Sequence, residues 1–374
     1  GLMMSAILET RHDERGVPAP TYRLDRSFER NRDDGPVFDE PWPTVPVTPM
    51  KSFFGLPVRS RFGVPASILG NSRWVEAYAR LGFDILCYKT VRSVPKLCGL
   101  PPNWVWADPA SVATSLDDPT QPIVVTNKVP NRTGEWTTAG SFGMPSLPME
   151  EWRADLVRAR AVVGAGQVLI VSVVGSIGPD VTEDQAVADF AALARIVADC
   201  GAHIVEANLS CPNVGKREGQ VFLDVPLATR IARAVREAVP DRPVLLKVGE
   251  IREPERMEAL LRGVAGAADG LVVMNAPARR VVDASGNGFF GAGRETCGIT
   301  GAAIKPIALS QVRKARAIID RLRLPLQIVG GGGIVTPDDV REFMDAGACA
   351  ALSSTGATMN PLLAVDLKTV APEV

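Results

Sequence analysis

From residue 64 onward, short apolar runs alternate with longer segments in which apolar positions recur at helical spacing. Runs of four to eight apolar residues are typical of buried strands, and the longer amphipathic segments are typical of helices. We therefore predict strands at 64–68, 85–89, 168–173, 203–209, 243–248, 270–274, 325–330 and 349–353. The helices predicted between them are 72–81, 149–163, 182–200, 225–239, 254–265, 302–321 and 336–346.

This alternation indicates parallel strands joined by helices, and eight such strands favour a closed (β/α)8 TIM barrel over an open doubly wound sheet. We assign residues 51–365 to the barrel. Two stretches are longer than ordinary connections: one between strands two and three, in which a short extra strand is predicted at 122–126, and one at 275–300. Both follow the carboxyl end of a strand, so we expect both insertions on the catalytic face.

Residues 1–50 differ from the rest because they are polar and then rich in proline. Five prolines, at 36, 41, 43, 46 and 49, fall close together. Such spacing excludes regular helix and favours an extended arm. The arm either lies on the surface of its own domain or reaches another subunit.

The amino-acid composition argues against some classes of binding partner. The 374 residues carry 41 Lys and Arg against 42 Asp and Glu, a net charge of −1, which argues against nucleic acid or a charged membrane as partner. No apolar run has transmembrane length. Six scattered cysteines and two histidines lack zinc or iron–sulfur spacing, so we expect no metal site and a reducing, cytoplasmic location.

Polar residues stand at or just past the carboxyl ends of seven of the eight predicted strands. Among them are Lys89, Ser172, Asn208, Lys247 and Asn275. Because these ends meet on one face of a barrel, the pattern predicts a ligand site there.

Two glycine-containing segments end the barrel. Strand seven ends in 330–333 (GGGG) and strand eight in 353–356 (SSTG). Glycines let the backbone approach a phosphate, and loops after strands seven and eight commonly bind one, although a glycine run is also typical of a tight turn. No GxGxxG follows the first strand, so a mononucleotide such as FMN is favoured over a Rossmann dinucleotide.

Two lysines and one cysteine are candidates for chemistry. Lys89 and Lys247 end apolar strands; each is a rim lysine, a cation beside a bound flavin, or a Schiff-base nucleophile. The stretch 203–217 (HIVEANLSCPNVGKR) passes from strand to loop at Pro212. Its Cys211 is either a buried structural thiol or an acid/base residue, since a thiol titrates near pH 8.5.

Several motifs, in order across roughly residues 50–360, resemble the dihydroorotate dehydrogenase family, including the related domain of dihydropyrimidine dehydrogenase. NLSCPN (208–213) is the most specific, and its cysteine is similar to the soluble class. The others are YKTVRS (88–93), SFGMPS (141–146), LLKV (245–248), MNA (274–276), CGITGAAIKPIAL (297–309), IVGGGGI (328–334) and ALSSTGA (351–357).

The resemblance implies an FMN-dependent oxidoreductase that interconverts a CH–CH and a C=C bond in a dihydroorotate-like or dihydropyrimidine-like cyclic substrate, in the cytoplasm and as a homodimer. It implies hydride transfer to the flavin and proton transfer to Cys211, with Lys89 as a second catalytic residue. The implied substrate ligands are Asn208, Asn213, Asn275, Gly143 and Met144. The implied FMN ligands are Ala66, Ser67, Lys89, Thr90, Asn208, Lys247, Gly298, Gly301, Gly332, Gly333, Ser354 and Thr355.

The chain departs from the family pattern on the substrate side. Gly140 stands where the family loop has asparagine, Ser146 where asparagine is common, and Ala276 where Ser or Thr is usual. The FMN half of the site is therefore expected to be intact and the substrate half altered. Two alternatives stay open: a Schiff-base lyase using Lys89 or Lys247, and a flavin-binding scaffold subunit without turnover. A soluble acceptor, an NAD-linked partner and oxygen are all compatible with the sequence.

Overall fold

Eight parallel strands close a barrel in the computed structural model, which describes residues 17–210 and 220–374. Each strand pairs with the next along the chain and the eighth pairs with the first, so the predicted (β/α)8 barrel is confirmed. The strands are β1 (Phe62–Val64), β2 (Ile85–Val91), β3 (Val168–Val173), β4 (Ile204–Asn208), β5 (Val244–Val248), β6 (Gly270–Val273), β7 (Gln327–Gly331) and β8 (Ala350–Leu352).

The first strand lies earlier in the chain than the predicted 64–68. It ends at Val64 because the next residue, Pro65, has no N–H for the ladder. Ala66 and Ser67 consequently lie in the loop after β1, at the carboxyl end of the barrel.

Helices surround the barrel, and most of them bury one apolar face against it; Thr355–Met359 is buried on all sides. In the helix Val225–Ala238, for example, Leu227, Ile231 and Val235 are buried, and Asp224 caps the first turn. The others are Ser72–Arg80, Met149–Val162, Glu183–Asp199, Pro254–Val264, Lys305–Leu322, Pro337–Asp345, Thr355–Met359 and Leu363–Val370. In the described residues, no helix is long and apolar enough to cross a membrane.

The barrel interior is apolar for most of its length and becomes polar at the carboxyl end. Successive side chains on a strand face opposite sides. Ile85 and Cys87 on β2 belong to the interior apolar cluster, so Lys89 continues the inward face; on β5, Leu245 precedes Lys247 in the same way. The alternation therefore places polar side chains at the carboxyl end of the barrel, above the apolar side chains of its interior.

A short hairpin closes the amino-terminal end. Its strands Lys51–Phe53 and Leu56–Val58 pair antiparallel. Phe53 and Val58 are fully buried in the interior cluster. This end is therefore sealed, and a ligand can enter from the carboxyl end.

The two insertions meet and form a second, five-stranded barrel, which we call the insertion barrel. Thr137–Gly140 of the first insertion pairs antiparallel with Thr296–Gly301 of the second. The remaining strands are Trp104–Ala107, Ile123–Thr126 and Ala278–Val282. The sequence predicted one of these five strands.

The described part of the arm, residues 17–50, packs on the barrel of its own chain. Residues 35–50 contain no helix or strand, as their prolines predict, but the prediction was wrong for Phe28–Asp34, which forms a helix capped by Ser27. This segment contains no proline and precedes the proline cluster at 36–49, so no proline interrupts its hydrogen bonds. The indole N–H of Trp74 donates to the carbonyl of Asn31 at 3.1 Å and anchors the helix on the barrel.

Candidate active site

Two adjoining cavities open at the carboxyl end of the barrel. One, which we call the glycine cavity, is lined by the ends of β7 and β8; the other, the amide cavity, is lined by Lys89, Asn208 and Asn275. Their volumes, including space open to solvent, are about 590 and 790 Å³. The residues that line both are Ala66, Ser67, Lys247, Asn275, Ala276, Thr300 and Ser354.

The glycine cavity offers backbone N–H groups to an anion. Gly332 and Gly333 have φ values of +125° and +81°, which glycine adopts at little cost. In the part of the chain that is described, the N–H groups of Gly332, Gly333 and Ser354 make no backbone hydrogen bond. Consecutive N–H groups of this kind form an anion-binding concavity.

Hydroxyl groups join this cavity to the insertion barrel. Thr355 donates to the hydroxyl of Thr300 at 2.9 Å, and the hydroxyls of Thr138 and Thr300 lie 2.7 Å apart. Gly301, with a φ of +105°, also lines the cavity. The second insertion therefore forms one wall of the phosphate end.

Lys247 lies where the two cavities join. It is 5% exposed and lines both of them. A buried ammonium is costly unless a negative group compensates it. The site is thus suited to a ligand that brings an anionic or electron-rich edge to this point.

Lys89 is held at the opposite side of the amide cavity. Its ammonium donates to the carbonyl of Ser67 at 2.6 Å. It also lies 5.1 Å from the ring centroids of both Phe28 and Phe142. Two cation–π contacts and a hydrogen bond fix the direction of this charge.

A chain of hydrogen bonds orders the amides. Asn208 donates to the Thr90 hydroxyl at 3.1 Å, and Thr90 donates to Ser172 at 2.9 Å. The Asn208 side-chain oxygen accepts from the Ser210 backbone N–H at 3.0 Å, and Asn275 donates to the Ser210 carbonyl at 2.5 Å. Asn208 keeps a second N–H and a second lone pair for a ligand.

Ser210 is the last described residue before Cys211. It lines the amide cavity and is held by both asparagines. Cys211 and Asn213, the predicted acid/base and the second amide of NLSCPN, lie outside the described residues. The described chain thus leads to the edge of the cavity at the point where the motif continues.

Aromatic side chains form the remaining wall of the amide cavity. Tyr22 packs edge-on against Trp104, with ring centroids 5.1 Å apart, and against Phe142 at 6.4 Å. All three line the cavity, as do Gly140 and Ala276. Where the family pattern leads us to expect an amide and a hydroxyl, positions 140 and 276 of this wall therefore carry no polar side chain.

The structure brings nearly all predicted site residues in its described part together. Gly143 is an exception, because it lines neither cavity and its carbonyl accepts from Arg92 at 3.4 Å. Six further site residues were not predicted from the sequence: Tyr22, Phe28, Trp104, Phe142, Ser210 and Thr300. Phe142 and Ser210 lie within the motifs SFGMPS and NLSCPN, beside residues that were predicted, so those motifs indicated their position.

The residues present fit FMN. In the described residues, the glycine cavity is lined by N–H groups that make no backbone hydrogen bond. Buried Lys247 lies where the glycine cavity meets the amide cavity. A phosphate at one end and a polar ring edge at the other satisfy both.

Sequence comparison connects the chain with a known family. A family model described as dihydroorotate dehydrogenase matches residues 149–369. The chain is 32% identical over 361 residues to the dihydroorotate dehydrogenase of Dictyostelium discoideum, covering 93% of this chain and 96% of that one. It is 34% identical over 168 residues to the catalytic subunit of dihydroorotate dehydrogenase B (NAD(+)) of Anoxybacillus flavithermus, covering 44% of this chain and 50% of that one.

Solved structures show the same fold. The ligand-free dihydroorotate dehydrogenase of Eimeria tenella superimposes with a TM-score of 0.68 at 17% identity, covering 89% of this chain and 88% of that one. The ferulenol complex of the Eimeria tenella enzyme gives a TM-score of 0.67, covering 86% and 82%. From the full-length similarity and the matching family model, the chain belongs to the dihydroorotate dehydrogenase family of FMN-dependent oxidoreductases that act on CH–CH bonds.

Proposed function

We propose that this protein interconverts a CH–CH and a C=C bond in a dihydroorotate-like or dihydropyrimidine-like cyclic substrate, with Cys211 as the acid/base residue. One observation carries the proposal. The glycine cavity and the amide cavity share a wall that contains Lys247 and Asn275. A cofactor in the first would therefore lie directly against a substrate in the second.

The glycine cavity would hold the FMN phosphate. The N–H groups of Gly332, Gly333 and Ser354 would donate to it, and the hydroxyls of Thr300 and Thr355 border the same space. Lys247 would face the polar edge of the ring. When bound, FMN supplies the hydride-accepting chemistry of the reaction.

The amide cavity would hold the substrate. Lys89 would place its charge against a ring carbonyl or carboxylate, because Ser67 and the two phenyl rings fix its direction. Asn208 and Asn275 would orient the ring amides. Such prior ordering of polar groups lowers the cost of reaching a reactive geometry.

Cys211 would exchange the proton. Its assignment rests on the NLSCPN motif and on Ser210, whose backbone is fixed at the cavity by Asn208 and Asn275. In the oxidative direction, the thiolate would take a proton from one substrate carbon while hydride leaves the neighbouring carbon. In the reductive direction, the thiol would return it.

The substrate is tested by anaerobic mixing of the FMN-loaded protein with dihydroorotate and, separately, with dihydrouracil. A substrate of the oxidative direction bleaches the flavin spectrum, and an oxidised pyrimidine restores it in the reductive direction. A protein that cannot be loaded with FMN would contradict the proposal. Loading without turnover on any pyrimidine would favour the scaffold alternative. Borohydride trapping of substrate on Lys89 or Lys247 would favour the lyase alternative, which family membership does not support.

Cys211→Ser tests the acid/base role. We expect flavin reduction by substrate to slow by roughly 100- to 10,000-fold, because a hydroxyl is a far weaker acid than a thiol, while the FMN spectrum is unchanged. Cys200→Ser is the matched control, since Cys200 ends an outer helix, Glu183–Asp199. Equal rates for both variants would remove Cys211 as the base.

Homodimer formation and a cytoplasmic location stay predictions from the sequence. Sedimentation of the FMN-loaded protein over a range of concentrations tests the first. Fractionation of cells that express the protein tests the second.

A further inference from the structure

Glu206 is a carboxylate deep inside the barrel that the proposed reaction does not use. It lies on β4, two residues before Asn208, and is 1% exposed. Among the residues that the structure describes, its Oε1 atom has no hydrogen-bond partner. Its Oε2 atom accepts from the thiol of Cys87 at 4.0 Å, which is a weak contact. A buried carboxylate with so little solvation needs a compensating charge.

Lys247 is positioned to supply that charge. Strands β4 and β5 are neighbours, and Leu245 pairs with Glu206 while Lys247 pairs with Asn208. Ile204 and Leu245 belong to the interior cluster, so the alternating residues Glu206 and Lys247 also face inward. The carboxylate therefore lies one layer below the ammonium, on the adjacent strand.

The pKa of the Cys87 thiol is affected by the charges of both Glu206 and Lys247. Burial raises its pKa well above the usual value, Glu206 raises it further, and Lys247 lowers it. The thiol consequently stays protonated and brings no charge of its own. Its S–H lies within reach of both the Tyr88 carbonyl, at 3.9 Å, and Glu206 Oε2, at 4.0 Å. The charge balance of this layer is therefore left to the carboxylate and the lysine.

We infer that Glu206 is a positioning residue that acts through Lys247, because it partly cancels the charge that Lys247 presents to FMN. The inference rests on the proposed placement of Lys247 against the ring. It assigns Glu206 a role in setting how strongly the site favours reduced over oxidised flavin, because reduction adds negative charge that Lys247 attracts and Glu206 repels.

The test is the reduction potential of bound FMN, measured anaerobically against a reference dye. Glu206→Gln leaves the Lys247 charge uncancelled, so the potential should become more positive. For a two-electron couple, a tenfold change in the preference for reduced flavin corresponds to about 30 mV. We expect a shift of at least that size, and an unchanged potential would overturn the inference.

Measuring Glu206→Gln in a protein that also carries Lys247→Met tests whether Glu206 acts through Lys247 or directly on the flavin. In Lys247→Met, the ammonium charge that Glu206 would cancel is absent. Glu206→Gln should then change the potential little. A shift of the same size in both backgrounds would contradict action through Lys247.

Two further variants guard against misfolding and local disruption. Cys87→Ala removes the thiol that contacts Glu206 without removing a charge, so the potential should not move; a shift as large as that of Glu206→Gln would contradict the inference. If Glu206→Gln does not fold, Glu206→Met is the second variant, because it removes the charge and keeps the length of the side chain in this apolar interior. The potential should again become more positive, and an unchanged potential would contradict the inference. Failure of the native protein to bind FMN would defeat the proposed function, whereas FMN bound to Glu206→Gln with an unshifted potential defeats this inference alone.

Discussion

The ammonium of Lys89 lies 5.1 Å from the centroid of the Phe28 ring. Phe28 begins the helix of the amino-terminal arm, whereas Lys89 ends the inward face of β2. The backbone N–H of Phe28 donates to the Asn103 side chain at 3.1 Å, which fixes the arm against the first insertion. The arm is thus part of the wall beside the proposed substrate lysine.

Phe28→Leu should weaken substrate use without weakening FMN binding. Leucine keeps most of the buried apolar volume but has no π face for the Lys89 ammonium. A partly desolvated cation–π contact contributes about 0.5–2 kcal/mol, so we expect kcat/KM to fall roughly 2- to 30-fold. The measurement is the rate of anaerobic flavin reduction as substrate concentration varies, together with FMN affinity from fluorescence.

Phe38→Leu is the matched control. Phe38 lies in the same arm, but its ring stacks on Trp42, at 4.9 Å between centroids, away from both cavities. It should behave as the native protein does. If Phe28→Leu also leaves kcat/KM unchanged, the arm contributes nothing to substrate use.

The barrel could be predicted because each strand and helix has its own local pattern. The insertion barrel could not, because its strands are short and their partners are distant in sequence. Thr137–Gly140 (TTAG) has no apolar alternation, and it is a strand because it pairs with Thr296–Gly301, far along the chain. Pairing at that distance leaves no local signal.

Site residues at the ends of barrel strands could be predicted, whereas those on the arm could not. Lys89, Asn208 and Lys247 end predicted strands, so their convergence follows from barrel geometry. Tyr22 and Phe28 reach the site only because the arm folds back over the barrel, and that path is set by contacts such as Trp74 with Asn31. No periodicity in the arm encodes it.

Gly140→Asn alone should not improve dihydroorotate turnover. The substitution replaces the missing family amide, but a Cβ at this position would lie 3.1 Å from Phe142 Cε2 and 3.5 Å from Trp104 Cδ1. Phe142 would have to move, and it is also the ring beside Lys89. We therefore expect activity with any substrate to fall.

The double variant Gly140→Asn with Phe142→Ala distinguishes crowding from chemistry. Removing the ring opens space for the amide, so dihydroorotate should bleach the flavin faster than it does in either single variant. Phe142→Ala alone is the control for loss of the ring. If the double variant is no faster than that control, the amide at 140 does not set substrate choice.

Gly333→Ala should lower FMN affinity. Gly333 has a φ of +81°, and a Cβ there would lie 2.6 Å from the backbone nitrogen of Lys305. The loop must shift and its N–H groups lose their alignment. Backbone strain of this kind costs about 1–3 kcal/mol, so we expect the Kd for FMN to rise roughly 5- to 150-fold, measured by flavin fluorescence quenching. Gly178→Ala is the control, because no atom of the described residues lies within 4 Å of a Cβ there and its φ is not positive. An equal loss of FMN affinity in both variants would argue against phosphate binding in the glycine cavity.

His203 should make the fold less stable in mild acid. Burial, with help from Arg160 and Arg242, lowers the pKa of His203 from 6.5 to about 4. Its Nδ1 accepts the backbone N–H of Leu169 at 2.9 Å, an interaction that only the unprotonated nitrogen can make. Above pH 6.5 the ring is neutral in both the folded and unfolded chain and the free energy of unfolding is unaffected. Between pH 6.5 and 4 the unfolded chain binds a proton that the folded chain does not, so the free energy of unfolding falls.

Carboxylates titrate in part of the same range, so the prediction concerns a difference between two proteins. His203→Asn keeps a side-chain acceptor for Leu169 but cannot titrate. The ring is half-buried, and solvent screening reduces the full effect of the pKa difference to roughly 1–2 kcal/mol. Urea unfolding at pH 7 and at pH 4.5 should therefore show a smaller loss of stability for His203→Asn than for the native chain. Equal losses in the two proteins would mean that His203 protonates as readily in the fold as in the unfolded chain.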